Sequence, residues 1–170
     1  MKTHLSRRRL LIGGSLAATG ALFGLSASGA SPPAPAAPRR SAYAFTLTEA
    51  QWQARLTPAQ YNVLRRAGTE RPYSSPLNRE HRHGTFACAG CALPVFSSNT
   101  KFESGTGWPS FWAPLADAVD EDRDTTLGMA RTEVHCHRCG GHLGHVFEDG
   151  PRPTGLRYCM NGVAMTFTPA

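Results

Sequence analysis

After residue 70 this 170-residue chain has no helical period of useful length. It has only five cysteines, and no internal repeat beyond a paired cysteine motif. A basic stripe is missing too. The formal charge is +6, but residues 1–30 carry Lys2, Arg7, Arg8 and Arg9 and no acid; the remainder holds 14 basic against 12 acidic residues. So even a balance argues against a nucleic-acid partner, which needs clustered positive charge. A chain of this length allows one compact domain, not two.

What is present begins with a leader. Residues 6–12 read Ser-Arg-Arg-Arg-Leu-Leu-Ile, and an uncharged stretch runs on to Ala27, diluted by Gly13, Gly14, Gly20 and Gly24. Ser28-Gly29-Ala30 offers the small residues a signal peptidase accepts. Residues 1–30 therefore read as an export signal of the twin-arginine type, which places the protein in the periplasm or otherwise outside the cytoplasm. The alternative is an uncleaved membrane anchor, which the glycines make weakly hydrophobic. With a cleaved signal, the membrane is met only during export. No cysteine stands directly after the apolar stretch, so nothing suggests a lipoprotein. Residues 31–40, rich in Pro and Ala, form a disordered spacer.

The domain is expected over 41–170. Two capping boxes open it: Thr48 with Gln51, and Thr57 with Gln60 followed by Pro58 at a first helical position. They predict short helices over 49–55 and 58–67, the second ended by Gly68. Beyond Pro72, short apolar runs alternate with Gly, Pro, Asn and Ser. The runs lie at 85–88, 94–96, 129–134, 145–147, 156–159 and 163–167. Such runs are strand signals. The expected fold class is mainly β, antiparallel, with short N-terminal helices.

The cysteines divide four and one. Cys88-Ala89-Gly90-Cys91 and Cys136-His137-Arg138-Cys139 are two C-x-x-C knuckles separated by 44 residues. Two knuckles can close a tetrahedral four-thiolate site, the preference of structural zinc, so one Zn²⁺ per chain is expected. Four thiolates and one Zn²⁺ bring the +2 domain to roughly neutral. The competing reading is two disulfides, but a C-x-x-C disulfide closes too small a loop to stabilise much. Cys159 is left over. Arg157 stands two positions back, on the same face of a strand, and Asn161 two positions on, on that face too if the strand continues. A cation and an amide beside a sulfur favour its thiolate. His142 and His145 occur three apart; with the metal already provided for, acid–base chemistry is the natural reading of the pair. Trp108 reads equally as a binding surface or as core.

From Leu56 to Phe167 the chain resembles the peptide methionine-R-sulfoxide reductases. The resemblance rests on 56–61 (LTPAQY), 68–78 (GTERPYSSPLN), 88–91 (CAGC), 101–111 (KFESGTGWPSF), 131–134 (RTEV), 142–147 (HLGHVF) and 155–161 (GLRYCMN). It implies two antiparallel sheets with small helices. It implies zinc on Cys88, Cys91, Cys136 and Cys139, remote from the reaction. Cys159 is implied as nucleophile, with Arg157 supporting its thiolate and Trp108 holding the substrate methyl. His142, His145 and Asn161 are implied to surround the sulfoxide oxygen. The partners implied are oxidised proteins and a thioredoxin-like or other thiol reductant, with the chain a monomer. Many members carry a second, resolving Cys where this chain has Thr106, so an outside thiol is expected to regenerate Cys159. The rival reading is a zinc-ribbon binding module, which has no need of Cys159 or the histidines.

Overall fold

Thr48 and Thr57 both make the reciprocal bonds of a capping box, and helices follow them at once. We call these α1 (Glu49–Arg55) and α2 (Pro58–Arg66). The computed structural model describes residues 43–125 and 130–170; the expected signal, the spacer and Met129 lie outside them. The second helix ends one residue earlier than expected. Ala67, not Gly68, takes the left-handed conformation (φ 50°), while the Gly68 amide donates to the Asn62 carbonyl.

Among the described residues nine strands follow, all paired antiparallel: β1 (Gly84–Cys88), β2 (Pro94–Ser97), β3 (Lys101–Phe102), β4 (Ser110–Phe111), β5 (Val119–Asp124), β6 (Arg131–Cys136), β7 (His142–Phe147), β8 (Arg157–Met160) and β9 (Met165–Pro169). They form a three-stranded sheet in the order β2-β1-β9 and a six-stranded sheet in the order β3-β4-β8-β7-β6-β5. The mainly β, two-sheet class expected from the sequence is the one observed. β3, β4 and β5 fall outside the expected runs. In β5 the run Val-Asp-Glu-Asp-Arg-Asp has Val119 as its one β-former, but it is an edge strand, where charge is tolerated and discourages further pairing.

The core lies where alternate residues of both sheets meet. Phe86 and Phe96 come from the small sheet and Phe111 from the large one, all fully buried. Phe96 stacks on Phe111 with centroids 4.4 Å apart, and Phe86 meets Phe111 edge-on at 4.9 Å. Each such pair adds about 0.5–1.5 kcal/mol beyond the area it buries. Leu143, Val134 and Met160 extend the core under β6, β7 and β8. One glycine is forced by this packing. A Cβ on Gly144 would collide with the Cys159 carbonyl across the β7–β8 ladder. The strand that carries the histidines can therefore lie close against the strand that carries Cys159.

Candidate active site and metal centre

The four knuckle cysteines converge and are buried, their sulfurs all within 4.8 Å of one another. The Cys88–Cys91 knuckle is the β1–β2 turn of the small sheet, and Cys136–Cys139 is the β6–β7 turn of the large one. The close sulfur pairs cross between knuckles: Cys88 to Cys139 at 3.7 Å and Cys91 to Cys136 at 3.5 Å. A disulfide bond measures about 2.0 Å, so these are not disulfides. A tetrahedral ion with sulfur ligands at about 2.3 Å has edges of about 3.8 Å, close to both spacings. The donor set therefore fits one metal ion joining the two sheets. Three cations face the charge this would create. Arg55 donates to the Gly90 carbonyl at 2.7 Å, Arg138 to the Cys91 carbonyl at 3.2 Å and Arg65 to the Cys139 carbonyl at 3.1 Å.

Cys159 stands apart from that cluster, half-buried on β8. Strand register sets its neighbours. Ser110 on β4, Cys159, His145 on β7 and Glu133 on β6 pair one across the next in a single row. Residues paired directly across share a face, so this row presents a hydroxyl, a thiol, an imidazole and a carboxylate together. The sulfur opens on a cleft of about 150 Å³, lined by Thr69, Trp108, Arg131, Gly144, His145, Phe147, Cys159 and Asn161.

His142 and His145 would point to opposite faces of a regular strand at a spacing of three. A β-bulge corrects this. Gly144 pairs with Val134 and His142 with His135, which leaves Leu143 as the extra residue of β7. Both imidazoles thus share a face, with ring centroids 5.4 Å apart. They are placed differently, however. His145 lines the cleft, whereas His142 is buried behind it. Glu133 bonds His142 Nδ1 at 2.6 Å and lies 3.2 Å from His135 Nε2. These two histidines hold its carboxyl well below the usual range, His135 most strongly. Asp124 bonds His145 Nε2 at 3.0 Å and takes Arg131 at 2.7 Å. Burial pushes the His145 imidazole below its ordinary value, against the pull of Asp124.

Trp108 is fixed by its indole N–H, which donates to the Glu70 carbonyl at 3.1 Å. Asn161 sits just past the end of β8, so the strand does not continue through it. It ties the cleft together: its Oδ1 accepts from the Glu70 amide at 2.9 Å and its Nδ2 donates to the Leu143 carbonyl at 3.1 Å. Arg157 makes a two-pronged ion pair with Asp149 at 2.8 Å and lies over the Phe147 ring at 4.5 Å. The Cys159 thiol is pushed up by burial; the Thr106 hydroxyl and the Arg157 cation oppose that rise without overcoming it. The flanking residues alone would suggest a lowered thiol. Burial of the sulfur reverses the balance.

Glu133, Asp124, Arg131, Thr69, Glu70 and Phe147 are site residues that pattern reading did not single out. Arg131, Glu133 and His135 alternate along β6, so polar groups facing a histidine-bearing strand were the available signal. Glu70 has none. Its carboxylate accepts the Gly162 and Val163 amides at 2.6 and 3.0 Å, contacts made across more than 90 residues of chain.

Residues 56–169 match the SelR domain. The peptide methionine sulfoxide reductase MsrB of Pseudomonas putida (strain W619) is 59% identical over 120 residues, which is 70% of this chain and 90% of that protein. That of Agrobacterium fabrum (strain C58) is 54% identical over 123 residues, 72% of this chain and 91% of the relative. That of Leptospira interrogans is 51% identical over 126 residues, 74% of this chain and 96% of the relative. This chain belongs to the MsrB family. Within that family frame Thr106 is the position to watch, because its Oγ1 lies 3.9 Å from Cys159 Sγ.

Proposed function

We propose that Cys159 is the nucleophile with which this oxidoreductase reduces methionine-R-sulfoxide residues of proteins, and that an external thiol regenerates it. One observation carries the assignment. Of five cysteines, Cys159 alone opens on the cleft, in company with Trp108, His145 and Asn161. The Cys159 thiolate attacks the sulfoxide sulfur and forms the S–S bond character that weakens S–O. An acid protonates the sulfoxide oxygen; the hydroxyl then passes from the methionine sulfur to Cys159 as the S–O bond to methionine and the transient S–S bond break, so the thioether leaves and Cys159 is left as a sulfenic acid. An external thiol then attacks the sulfenic acid, giving a mixed disulfide and water, and a second thiol releases Cys159. Two thiols are oxidised to one disulfide per sulfoxide reduced.

His145 is better placed than His142 to be the acid, since it lines the cleft. Its Nε2 is turned to Asp124, which leaves Nδ1 as the atom to carry the proton. His142 supports it from behind. The Trp108 face suits the substrate methyl, polarised by the positive sulfoxide sulfur. Asn161 holds the segment bearing Glu70 at the rim of the cleft, and Arg157 lends positive charge to the thiolate. Cys88, Cys91, Cys136 and Cys139 hold a structural Zn²⁺, the usual occupant of four thiolates; when bound it joins the sheets and supplies no chemistry to the cleft. The run Arg7-Arg8-Arg9 and the apolar stretch after it support export of the folded domain into the periplasm, with the zinc loaded beforehand. The chain acts as a monomer on oxidised proteins and takes electrons from a thioredoxin-like protein or another thiol.

Purified protein given the R and S epimers of a methionine sulfoxide dipeptide, with dithiothreitol, tests the reading. Turnover of the R epimer alone is expected. Turnover of neither, or of the S epimer alone, contradicts it.

A further inference from the structure

Three hydroxyls lie in a line that ends at Cys159. Ser110 Oγ is 3.1 Å from the Trp108 carbonyl and 2.7 Å from Ser104 Oγ; Ser104 Oγ is 2.8 Å from Thr106 Oγ1; Thr106 Oγ1 is 3.9 Å from Cys159 Sγ. Ser110 is fully buried and pairs directly with Cys159 across the β4–β8 ladder. Each hydroxyl has one proton to give, so the directions can be counted. A carbonyl only accepts, so the Ser110 proton goes to Trp108. The Ser110 oxygen must then receive the Ser104 proton. Ser104 has nothing further to give, and its oxygen also takes the Thr106 amide at 3.4 Å. One proton in the line remains uncommitted, that of Thr106, and it has two acceptors within reach: Ser104 Oγ and Cys159 Sγ.

We propose that Thr106 is a reversible hydrogen-bond partner of Cys159, donating to the thiolate before the reaction and accepting from the sulfenic acid after it. When its proton turns to sulfur the Thr106 hydroxyl gives up its bond to Ser104, and the Thr106 amide, which donates to Ser104 Oγ at 3.4 Å, keeps the segment against the Ser104–Ser110 pair. A thiolate draws the Thr106 proton to sulfur by its charge. Once the sulfur carries O–H, the new hydroxyl is a donor, and Thr106 accepts from it while returning its own proton to Ser104. The gap of 3.9 Å is long for a bond to sulfur, but it leaves an oxygen added on sulfur within hydrogen-bond reach of Thr106. The inference rests on Cys159 being the nucleophile. It gives the residue at the resolving position a task suited to an enzyme whose sulfenic acid must wait for an outside thiol.

The test compares the parent protein with Thr106→Val, which keeps the shape without the hydroxyl, and Thr106→Ser, which keeps the hydroxyl. Two properties are read: the pH dependence of Cys159 alkylation by iodoacetamide, and the time course of sulfenic acid, trapped with dimedone after one equivalent of substrate and a hydrogen peroxide challenge. For Val the alkylation midpoint should rise and the rate at pH 7 should fall about threefold, the worth of one weak hydrogen bond. The dimedone-trappable fraction should decay faster, toward sulfinic acid, and Ser should restore both. Val matching the parent in either property overturns the proposal. A parent protein that forms no sulfenic acid from substrate takes down the nucleophile assignment and this inference together.

Discussion

The knuckle cluster and the Cys159 cleft use one element, sulfur, in opposite ways. In the cluster each thiol faces others at 3.5–3.7 Å, deep between the sheets, with arginines bonded to the surrounding carbonyls. In the cleft a single thiol faces a hydroxyl, a tryptophan and a histidine, with about 150 Å³ of space before it. Four mutually committed thiols have no vacancy for a substrate, whereas one thiol with only long-range partners does. Vacancy at the sulfur, more than intrinsic acidity, is what distinguishes Cys159 from the four clustered thiols. The Cys159 thiol is even pushed up by its burial.

The comparison can be broken most severely at the cluster. Cys88→Ser or Cys139→Ser leaves three sulfurs for the metal ion the cluster can hold between the sheets. Loss of metal together with loss of fold is expected, read by elemental analysis and circular dichroism. A folded, metal-free, active variant would show that the cluster is dispensable. In the cleft the same replacement should leave structure alone. Cys159→Ser should fold, keep its metal and lose all turnover, because a hydroxyl is a far weaker nucleophile at neutral pH; measurable reductase activity in that variant assigns the attack to another group.

Smaller effects sharpen the contrast. His145→Gln should lower kcat by about 100-fold with little change in KM, as expected for an acid that acts in the transition state. A raised KM at constant kcat would make His145 a binding residue. Thr106→Cys should place a thiol beside Cys159 and convert its sulfenic acid into an intramolecular disulfide after one turnover, detected by mass spectrometry. Persistence of sulfenic acid in that variant would place the two side chains too far apart. Least of all, Arg157→Met removes the cation that opposes the effect of burial on Cys159, so thiolate should form at higher pH. Its alkylation at pH 7 should slow about threefold, the scale of a partly exposed charge interaction. A midpoint shifted downward would reverse the assigned sign.

The sequence showed most clearly what is decided within a few residues. Thr48 with Gln51 and Thr57 with Gln60 set both helix starts, since each capping box is complete within one turn. The knuckles were legible for the same reason. Cys159, Trp108, His145 and Asn161 were named from the chain, and the fold brings all four to one cleft. What stayed hidden depends on pairing. The Leu143 bulge that turns His142 and His145 to one face exists only against β6. β5 is made into a strand by its neighbour, and Asp124 at its end reaches His145 only through that sheet. Glu70 closes on Gly162 and Val163 from the far side of the chain, where no local pattern could announce it.

One measurement bears most directly on the division between committed and vacant sulfur: mass spectrometry and metal analysis after a single equivalent of methionine-R-sulfoxide, with no reductant present. The account predicts sulfenic acid on Cys159 alone, with the metal retained and the other four thiols unoxidised. A disulfide between Cys159 and Cys88, Cys91, Cys136 or Cys139, accompanied by release of metal, would contradict it.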